Sequence, residues 1–157
     1  MKKWIFISIG MVIVVIVLFS IVYLKSVKPL KVAQEKAVAA ASKEIDLKKI
    51  NDIEIYNGEE TYYILKGKDK KNNNVIVWVS EKGKNVYVRQ EAKGISREQA
   101  VSKLLQETNP KEIVSVKLAM LKSRQCWEIY YLSHNNLINY YYVDFETGEW
   151  LRKIENM

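Results

Sequence analysis

The chain begins with a long apolar stretch and then changes to segments in which apolar and polar residues alternate. Residues Trp4 to Leu24 include twenty-one consecutive positions without a charged side chain. At 1.5 Å per helical residue this stretch spans about 31 Å, which matches the hydrocarbon thickness of a bilayer. No small-residue cleavage site follows before Lys25, so the pattern predicts a retained membrane-spanning helix.

The residues at the two ends of this stretch are typical of a membrane anchor. Tryptophan and tyrosine favour the membrane–water interface, and lysines flank them on both sides. The candidate anchor flanks are Lys2, Lys3, Trp4, Tyr23, Lys25 and Lys28. Because lysines follow the stretch as well as precede it, the charge distribution leaves the orientation open and slightly opposes export of the remainder.

A helix with a stripe of small residues is predicted from Leu30 to Ile45. Ala33, Ala37 and Ala41 recur on one face at steps of four residues. Small side chains allow close packing, so we expect this stripe to lie against the sheet that follows. The alternative, a helix lying in the membrane interface, has little hydrophobic area to support it.

Alternating patterns then predict two groups of β-strands. The first group is Lys49–Tyr56, Glu60–Gly67, Asn74–Ser80 and Asn85–Gln90. Turns at Asn57-Gly58 and Lys82-Gly83 supply the positive φ angles of hairpins, so these runs predict an antiparallel meander. The run Asn74–Ser80 is apolar on both faces and is therefore predicted to be a central strand.

A second helix precedes the second group of strands. Ser96 and Gln99 have the spacing of a capping box, which predicts a helix that ends near Thr108, before Pro110. The strands that follow are predicted at Ile113–Leu121, Cys126–Leu132, Leu137–Asp144 and Glu149–Ile154. The sequence therefore predicts an α+β protein: a transmembrane helix (1–28) followed by two modules (29–92 and 93–157), each with one helix packed on an antiparallel sheet of three to four strands.

Composition excludes several classes of function. The formal charge is +7, but only +3 from Pro29 onward, and lysine and glutamate are interleaved there. This argues against nucleic acid as a partner, because a phosphate-binding surface needs clustered cations. The single cysteine, Cys126, rules out an intramolecular disulfide and a cysteine-based zinc site.

Residues suited to catalysis are few and scattered. His134, the only histidine, lies in a polar segment that predicts a hairpin turn, and Cys126 begins a strand beside Trp127. Acidic side chains lack the spacing of metal ligands, and no glycine-rich loop precedes a helix. We therefore expect no catalytic residue, no metal and no cofactor.

The second module carries a motif of known type. A helix with a small residue, Ala100, is followed by a strand with an aromatic, Trp127, and then by a strand that ends in the turn Val143-Asp144-x-x-Thr147-Gly148. This order, over about 95–154, resembles a PepSY module. Asp144, Thr147 and Gly148 form a turn that fixes strand register, which is a structural role.

The whole layout of anchor, alanine-rich helix, cystatin-like first module and terminal PepSY module resembles the TseB (YpmB-like) family of Gram-positive bacilli. The resemblance implies a regulator of cell wall elongation that is associated with a monofunctional transpeptidase of the penicillin-binding class. It also implies a single-pass protein of the cell membrane, with a cytoplasmic N-terminus and both modules outside, facing the peptidoglycan.

Tyrosine is abundant, with ten residues in the chain. Strand alternation predicts that Glu128, Tyr130, Tyr140 and Tyr142 share the face that points away from the helix of the second module. Tyrosine favours strands and often caps a core, so these side chains have either that structural role or the role of a protein-contact surface. If the first module covers them, they form an interdomain core. Lys66, Lys68, Lys70 and Lys71 predict a basic hairpin, which is either a solvated turn or a weak contact for anionic lipid or wall polymer.

Two further functions stay open. PepSY modules in protease propeptides are associated with inhibition, so the chain is alternatively a peptidase inhibitor. It is otherwise a sensor that binds a wall polymer or small ligand in a crevice between its modules.

Overall fold

The computed structural model describes the backbone of residues 2–155 and the side chains of residues 11–20 and 29–155. Its first helix, α1, runs from Lys2 to Glu44 and contains Pro29. The chain divides into two units, one up to Lys36 and one compact unit from Ala37 onward. Among the residues whose side chains are described, no helical stretch is long and apolar enough to cross a membrane.

The continuity of α1 differs from the expectation that a separate helix begins at Leu30. Pro29 lacks an N–H and so removes one hydrogen bond from the helix that contains it. The helix nevertheless continues through this residue. The small-residue stripe is confirmed near the end of α1, where Ala37 and Ala41 are buried.

The first sheet is a four-stranded antiparallel meander in the order β1-β2-β3-β4. Its strands are β1 (Leu47–Asn57), β2 (Thr61–Asp69), β3 (Asn74–Ser80) and β4 (Val86–Gln90). Residues 75 to 80 of β3 are all buried, which confirms that this strand is central and covered on both faces. A Cβ placed on Gly83 would lie 3.5 Å from Cβ of Ala40, so the β3–β4 turn abuts the end of α1.

The turn at Asn57-Gly58 does not have the expected geometry. Positive φ angles occur at Gly83 and Gly148, but neither Asn57 nor Gly58 has one. Gly58 is required for a different reason: a Cβ at this position would overlap the ring of Tyr56. The absence of a side chain at Gly58 therefore leaves space for the ring of Tyr56 beside the turn.

The second sheet repeats the meander, in the order β5-β6-β7-β8, behind a helix α2 (Arg97–Glu107). Its strands are β5 (Glu112–Leu121), β6 (Arg124–Leu132), β7 (Ile138–Asp144) and β8 (Trp150–Ile154). The predicted capping box is present: Ser96 Oγ accepts from the amide of Gln99, and Gln99 Oε1 accepts from the amide of Ser96. Helix α2 buries Ala100 and Leu104.

The two sheets share one hydrophobic core. Tyr56, Ile64 and Trp78 of the first sheet belong to the same buried cluster as Ile129 and Phe145 of the second half. The α+β architecture with two four-stranded antiparallel sheets is therefore confirmed. The two modules pack into one body, although the boundary placed at residues 92 and 93 stays a prediction.

Candidate functional site

The predicted alignment of tyrosines is present on β6 and β7. Glu128 lies opposite Tyr142 and Tyr130 lies opposite Tyr140 in the antiparallel register, so all four residues share one face. The opposite face packs on α2: Trp127 Nε1 donates to the carbonyl of Ile95 at 3.0 Å, just before the helix begins.

One end of this tyrosine row is covered by the first module. Tyr142 is only 7% exposed, and its hydroxyl donates to Glu128 Oε2 at 2.8 Å. Tyr56 of β1 lies against the same pair, and burial followed by the Glu128 carboxylate raises the pKa of its phenol well above the usual range. Burial and the hydrogen bond to Glu128 raise the pKa of Tyr142 in the same way. Tyr142 is therefore buried against the first module, as the interdomain-core alternative describes, whereas Glu128 is half-buried. A protein-contact role for the rest of this face stays a prediction.

The other end of the row remains accessible. Tyr130 and Tyr140 are half-buried, and their rings stack with centroids 5.2 Å apart and an interplanar angle of 18°. Ser115 of β5 lies beside Tyr130, and Ile154 of β8 lies beside Tyr140. The candidate contact surface is thereby reduced to this stacked pair and its neighbours in the sheet.

Trp78 of β3 is the central residue of the contact between the modules. It is fully buried, its Nε1 donates to the carbonyl of Ala119 at 3.1 Å, and its ring makes an edge-to-face contact with Phe145 at 5.4 Å. Gly94 allows Phe145 to take this place, because a Cβ on Gly94 would overlap the phenylalanine ring.

Among the side chains that the structure describes, two ion pairs join the modules at the surface. Arg89 Nε of β4 lies 2.5 Å from Glu146 Oε1 in the β7–β8 turn, at ion-pair distance but without the alignment of a hydrogen bond. Arg152 of β8 lies 3.8 Å from Glu59. Sequence reasoning missed both pairs, because each joins residues more than fifty positions apart and no local spacing signals them.

The carboxylate of Asp144 organises the turn between β7 and β8. Asp144 Oδ1 accepts from the amides of Glu146 (2.9 Å) and Thr147 (3.0 Å), and Oδ2 accepts from Arg124 at 3.0 Å. Burial alone would raise the pKa of Asp144, but the two amides and the guanidinium outweigh it and hold the pKa below the usual range. Gly148 closes the turn with φ +69°.

Candidate chemical groups are not brought together. Cys126 is fully buried, and burial raises the pKa of its thiol to about 12, so the reactive thiolate is suppressed. His134 is exposed in the β6–β7 turn. Among the side chains of residues 11–20 and 29–155, no group of three His, Cys, Asp or Glu residues is arranged to hold a metal ion.

The predicted basic hairpin is partly neutralised. Lys66 pairs with Glu54 at 2.5 Å, and Lys70 pairs with Asp46 at 2.6 Å. Asp69 holds the turn by accepting from the backbone and side-chain amides of Asn73. Two of the four lysines therefore have acidic partners within the protein.

The predicted anchor flanks cannot be placed as side chains. The side chains of Lys2, Lys3, Trp4, Tyr23, Lys25 and Lys28 lie outside the described residues. In the part of the stretch that is described, all nine apolar side chains from Met11 to Phe19 are exposed, by 43% to 72%.

Comparison with known families gives matches in both modules. Residues 36–80 match a family described as "Cell wall elongation regulator TseB-like domain", and residues 94–153 match PepSY, described as "Peptidase propeptide and YPEB domain". The resemblance inferred from the sequence is therefore confirmed.

Individual relatives agree with these matches. The chain is 37% identical over 121 residues to a Bacillus subtilis protein named "Probable cell wall elongation regulator TseB", covering 76% of this chain and 75% of that one. It is also similar to the solved structure of the YpmB protein from Bacillus subtilis, with a TM-score of 0.72, 34% identity, and coverage of 77% of this chain and 95% of the other.

Proposed function

Because this chain belongs to the family of TseB-like cell wall elongation regulators, we propose that it regulates cell wall elongation as a single-pass membrane protein. Residues 1–28 form a cytoplasmic stub and an anchor. The two modules lie outside the membrane and act by binding rather than by catalysis. The observation that carries this proposal is the 37% identity, over 121 residues, to a protein named a probable cell wall elongation regulator, together with the TseB-like family match at residues 36–80.

The anchor is supported by the surface that α1 presents. Nine consecutive apolar side chains, Met11 to Phe19, are exposed around the whole circumference of the helix. Apolar area exposed to water costs about 25 cal/mol per Å², and a bilayer removes that cost. The test is alkaline carbonate extraction of membranes, with protease added to intact protoplasts. We expect the chain to stay in the membrane pellet and its C-terminal region to be digested; a soluble or protected chain would contradict this.

The partner we propose is a monofunctional transpeptidase of the penicillin-binding class. An anchored partner and an anchored regulator share one plane, so even a weak interface gains effective concentration. Tyr130 and Tyr140 form an accessible aromatic pair suited to such a contact, because tyrosine supplies large contact area at low entropic cost.

Co-purification tests this partnership. The tagged full-length chain is crosslinked in growing cells, purified, and its partners are labelled with a fluorescent penicillin. We expect one transpeptidase band to be enriched relative to a control in which residues 1–28 carry the same tag without the modules. If the full-length chain and the control recovered the labelled bands equally, the proposed partnership would be refuted.

A second candidate function is inhibition of a peptidase. It is favoured by the match of residues 94–153 to a domain described from peptidase propeptides. The purified chain would then reduce the activity of at least one protease in a panel of extracellular enzymes, at stoichiometric concentrations. A panel with unchanged activities would eliminate this candidate without affecting the first.

A further inference from the structure

A cleft of about 390 Å³ opens between the modules, at the edges of both sheets. One side is formed by Glu54 and Ile55 of β1, and the other by three consecutive residues of β5, Val116 to Leu118. Both β1 and β5 are edge strands, with a neighbour on one side only. Consecutive strand residues point their side chains to opposite faces of the sheet. A cleft that contacts all three of these residues therefore lies at the edge of β5 and not on one face.

The backbone of β5 offers hydrogen-bonding groups to this cleft. The carbonyl of Ala119 accepts from Trp78, so it points away from β6 and toward the first module. Backbone groups of alternate residues point the same way in an antiparallel pair, and Lys117 is two residues from Ala119. The N–H and C=O of Lys117 therefore face the cleft, as the unpaired groups of an edge strand do.

The cleft has an excess of positive charge. Its lining includes three cations, Lys66, Arg97 and Lys117, but one carboxylate, Glu54, which is paired with Lys66. Two other carboxylates are near but do not line the cleft. Glu98, next to Arg97, accepts from Ser96 Oγ, and Glu128, opposite Lys117 in the register, accepts from Tyr142.

Apolar surface lies beside these cations. Ile55 is 37% exposed, and the buried residues Leu118 and Trp127 form part of the lining. The cleft thus combines an edge strand, an apolar surface and two cations that have no acidic partner within it. This combination is complementary to an extended peptide in which acidic and apolar residues alternate.

We propose that this cleft binds an extended acidic peptide segment of a partner protein, which adds a strand to the edge of β5. An acidic side chain of the segment pairs with Arg97 and Lys117, and an apolar side chain packs on Ile55 and Trp127. This inference rests on the proposed function as a binding protein and specifies the chemistry of what is bound.

The test uses the full-length chain in detergent and a fluorescein-labelled hexapeptide, Thr-Val-Glu-Val-Glu-Thr, with fluorescence anisotropy as the measurement. Arg97→Glu and Lys117→Glu should each weaken binding roughly tenfold, because each places a repulsive charge in the cleft. Lys71→Glu, the same charge change at an exposed turn, should leave affinity within about twofold, since exposed charges at a distance are screened. Both cleft residues are exposed, and a carboxylate at the first residue of α2 is favourable to the helix dipole, so Arg97→Glu should fold. Lys117→Glu places a second carboxylate opposite Glu128 and should lower stability somewhat, so the thermal unfolding midpoint of each variant is measured alongside its affinity.

Strand addition has a separate readout. Peptides N-methylated at alternate amides should fall into two sets, one that loses binding and one that retains it, because only one set of amides faces β5. The inference is overturned if a Gln-for-Glu peptide binds equally well, if Lys71→Glu weakens binding as much as the cleft variants, or if both N-methylated sets bind alike.

Failure of this inference and failure of the proposed function are distinguishable. If the Arg97→Glu, Lys117→Glu double variant still enriches a transpeptidase in the co-purification, the cleft is not the partner site although the partnership stands. If it loses the transpeptidase while keeping its thermal unfolding midpoint, the cleft is the partner site.

Discussion

Replacing Trp78 by phenylalanine tests how strongly the two modules depend on each other. The change removes the indole N–H that reaches Ala119, and it reduces the ring that packs against Phe145. A void of roughly 40 Å³ costs about 1 kcal/mol at the usual cavity coefficient. A buried carbonyl left without a donor costs about 1–3 kcal/mol. We therefore expect the free energy of unfolding to fall by about 3 kcal/mol.

Urea unfolding of the full-length chain in detergent, followed by far-ultraviolet circular dichroism, measures this loss. Trp150→Phe is the matched control, because Trp150 is 56% exposed and the same substitution there should cost less than about 0.5 kcal/mol. The Trp78 variant should keep a single transition at lower urea concentration, since both sheets share the damaged core. A loss equal to that of the control would refute the assignment of Trp78 as the central contact.

Three further predictions follow from local geometry. Asp144→Asn should lower the free energy of unfolding by about 1–3 kcal/mol at neutral pH, because the ionised carboxylate accepts hydrogen bonds from two backbone amides and a guanidinium. The pKa of Asp144 is depressed in the folded protein, so its contribution to wild-type stability is present above about pH 4 and is lost as the pH falls through the folded pKa. Urea midpoints of both proteins at several pH values measure this loss. Ser96→Ala should cost about 1 kcal/mol by the same urea assay, since the capping box is lost, whereas the exposed Ser102→Ala on the same helix should not destabilise it. Cys126 should react with a thiol reagent only when the protein unfolds, because the thiol is buried with a pKa near 12; rapid labelling of the native chain would contradict its placement.

Local features of the fold could be predicted from the sequence. The strand runs, the central position of Asn74–Ser80, the capping box at Ser96 and the turn at Asp144 all follow from periodicity and from short-range hydrogen bonding. These signals are contained within a few residues, and each one is sufficient to specify its own element.

The contacts between modules could not be predicted in the same way. Alternation correctly grouped Tyr142 with Tyr140 on one face, but it could not indicate that Tyr56, from a strand about 85 residues earlier, covers Tyr142. Gly58 was the available signal, yet Asn-Gly suggested a positive φ angle rather than space for an aromatic ring. The separate helix predicted from Leu30 is likewise the end of a longer helix, in which Pro29 removes only one hydrogen bond.

The sequence allowed for a crevice between the modules but did not indicate which residues line it. Val116-Lys117-Leu118 reads as an ordinary strand segment, and Arg97 reads as the first residue of a capped helix. Their shared environment arises only because β5 lies at the edge of its sheet and next to the first module.

The central structural claim is that both sheets fold and act as one body. Native-state hydrogen exchange of the full-length chain tests it most directly, by comparing the amides of Val77 in β3 and Ile129 in β6, both fully buried. A shared core predicts that these amides exchange with the same free energy of opening, and that Trp78→Phe lowers both equally. The modules would be independent if the amide of Val77 exchanged with a much lower free energy of opening than that of Ile129, and if Trp78→Phe left the exchange of Ile129 unchanged.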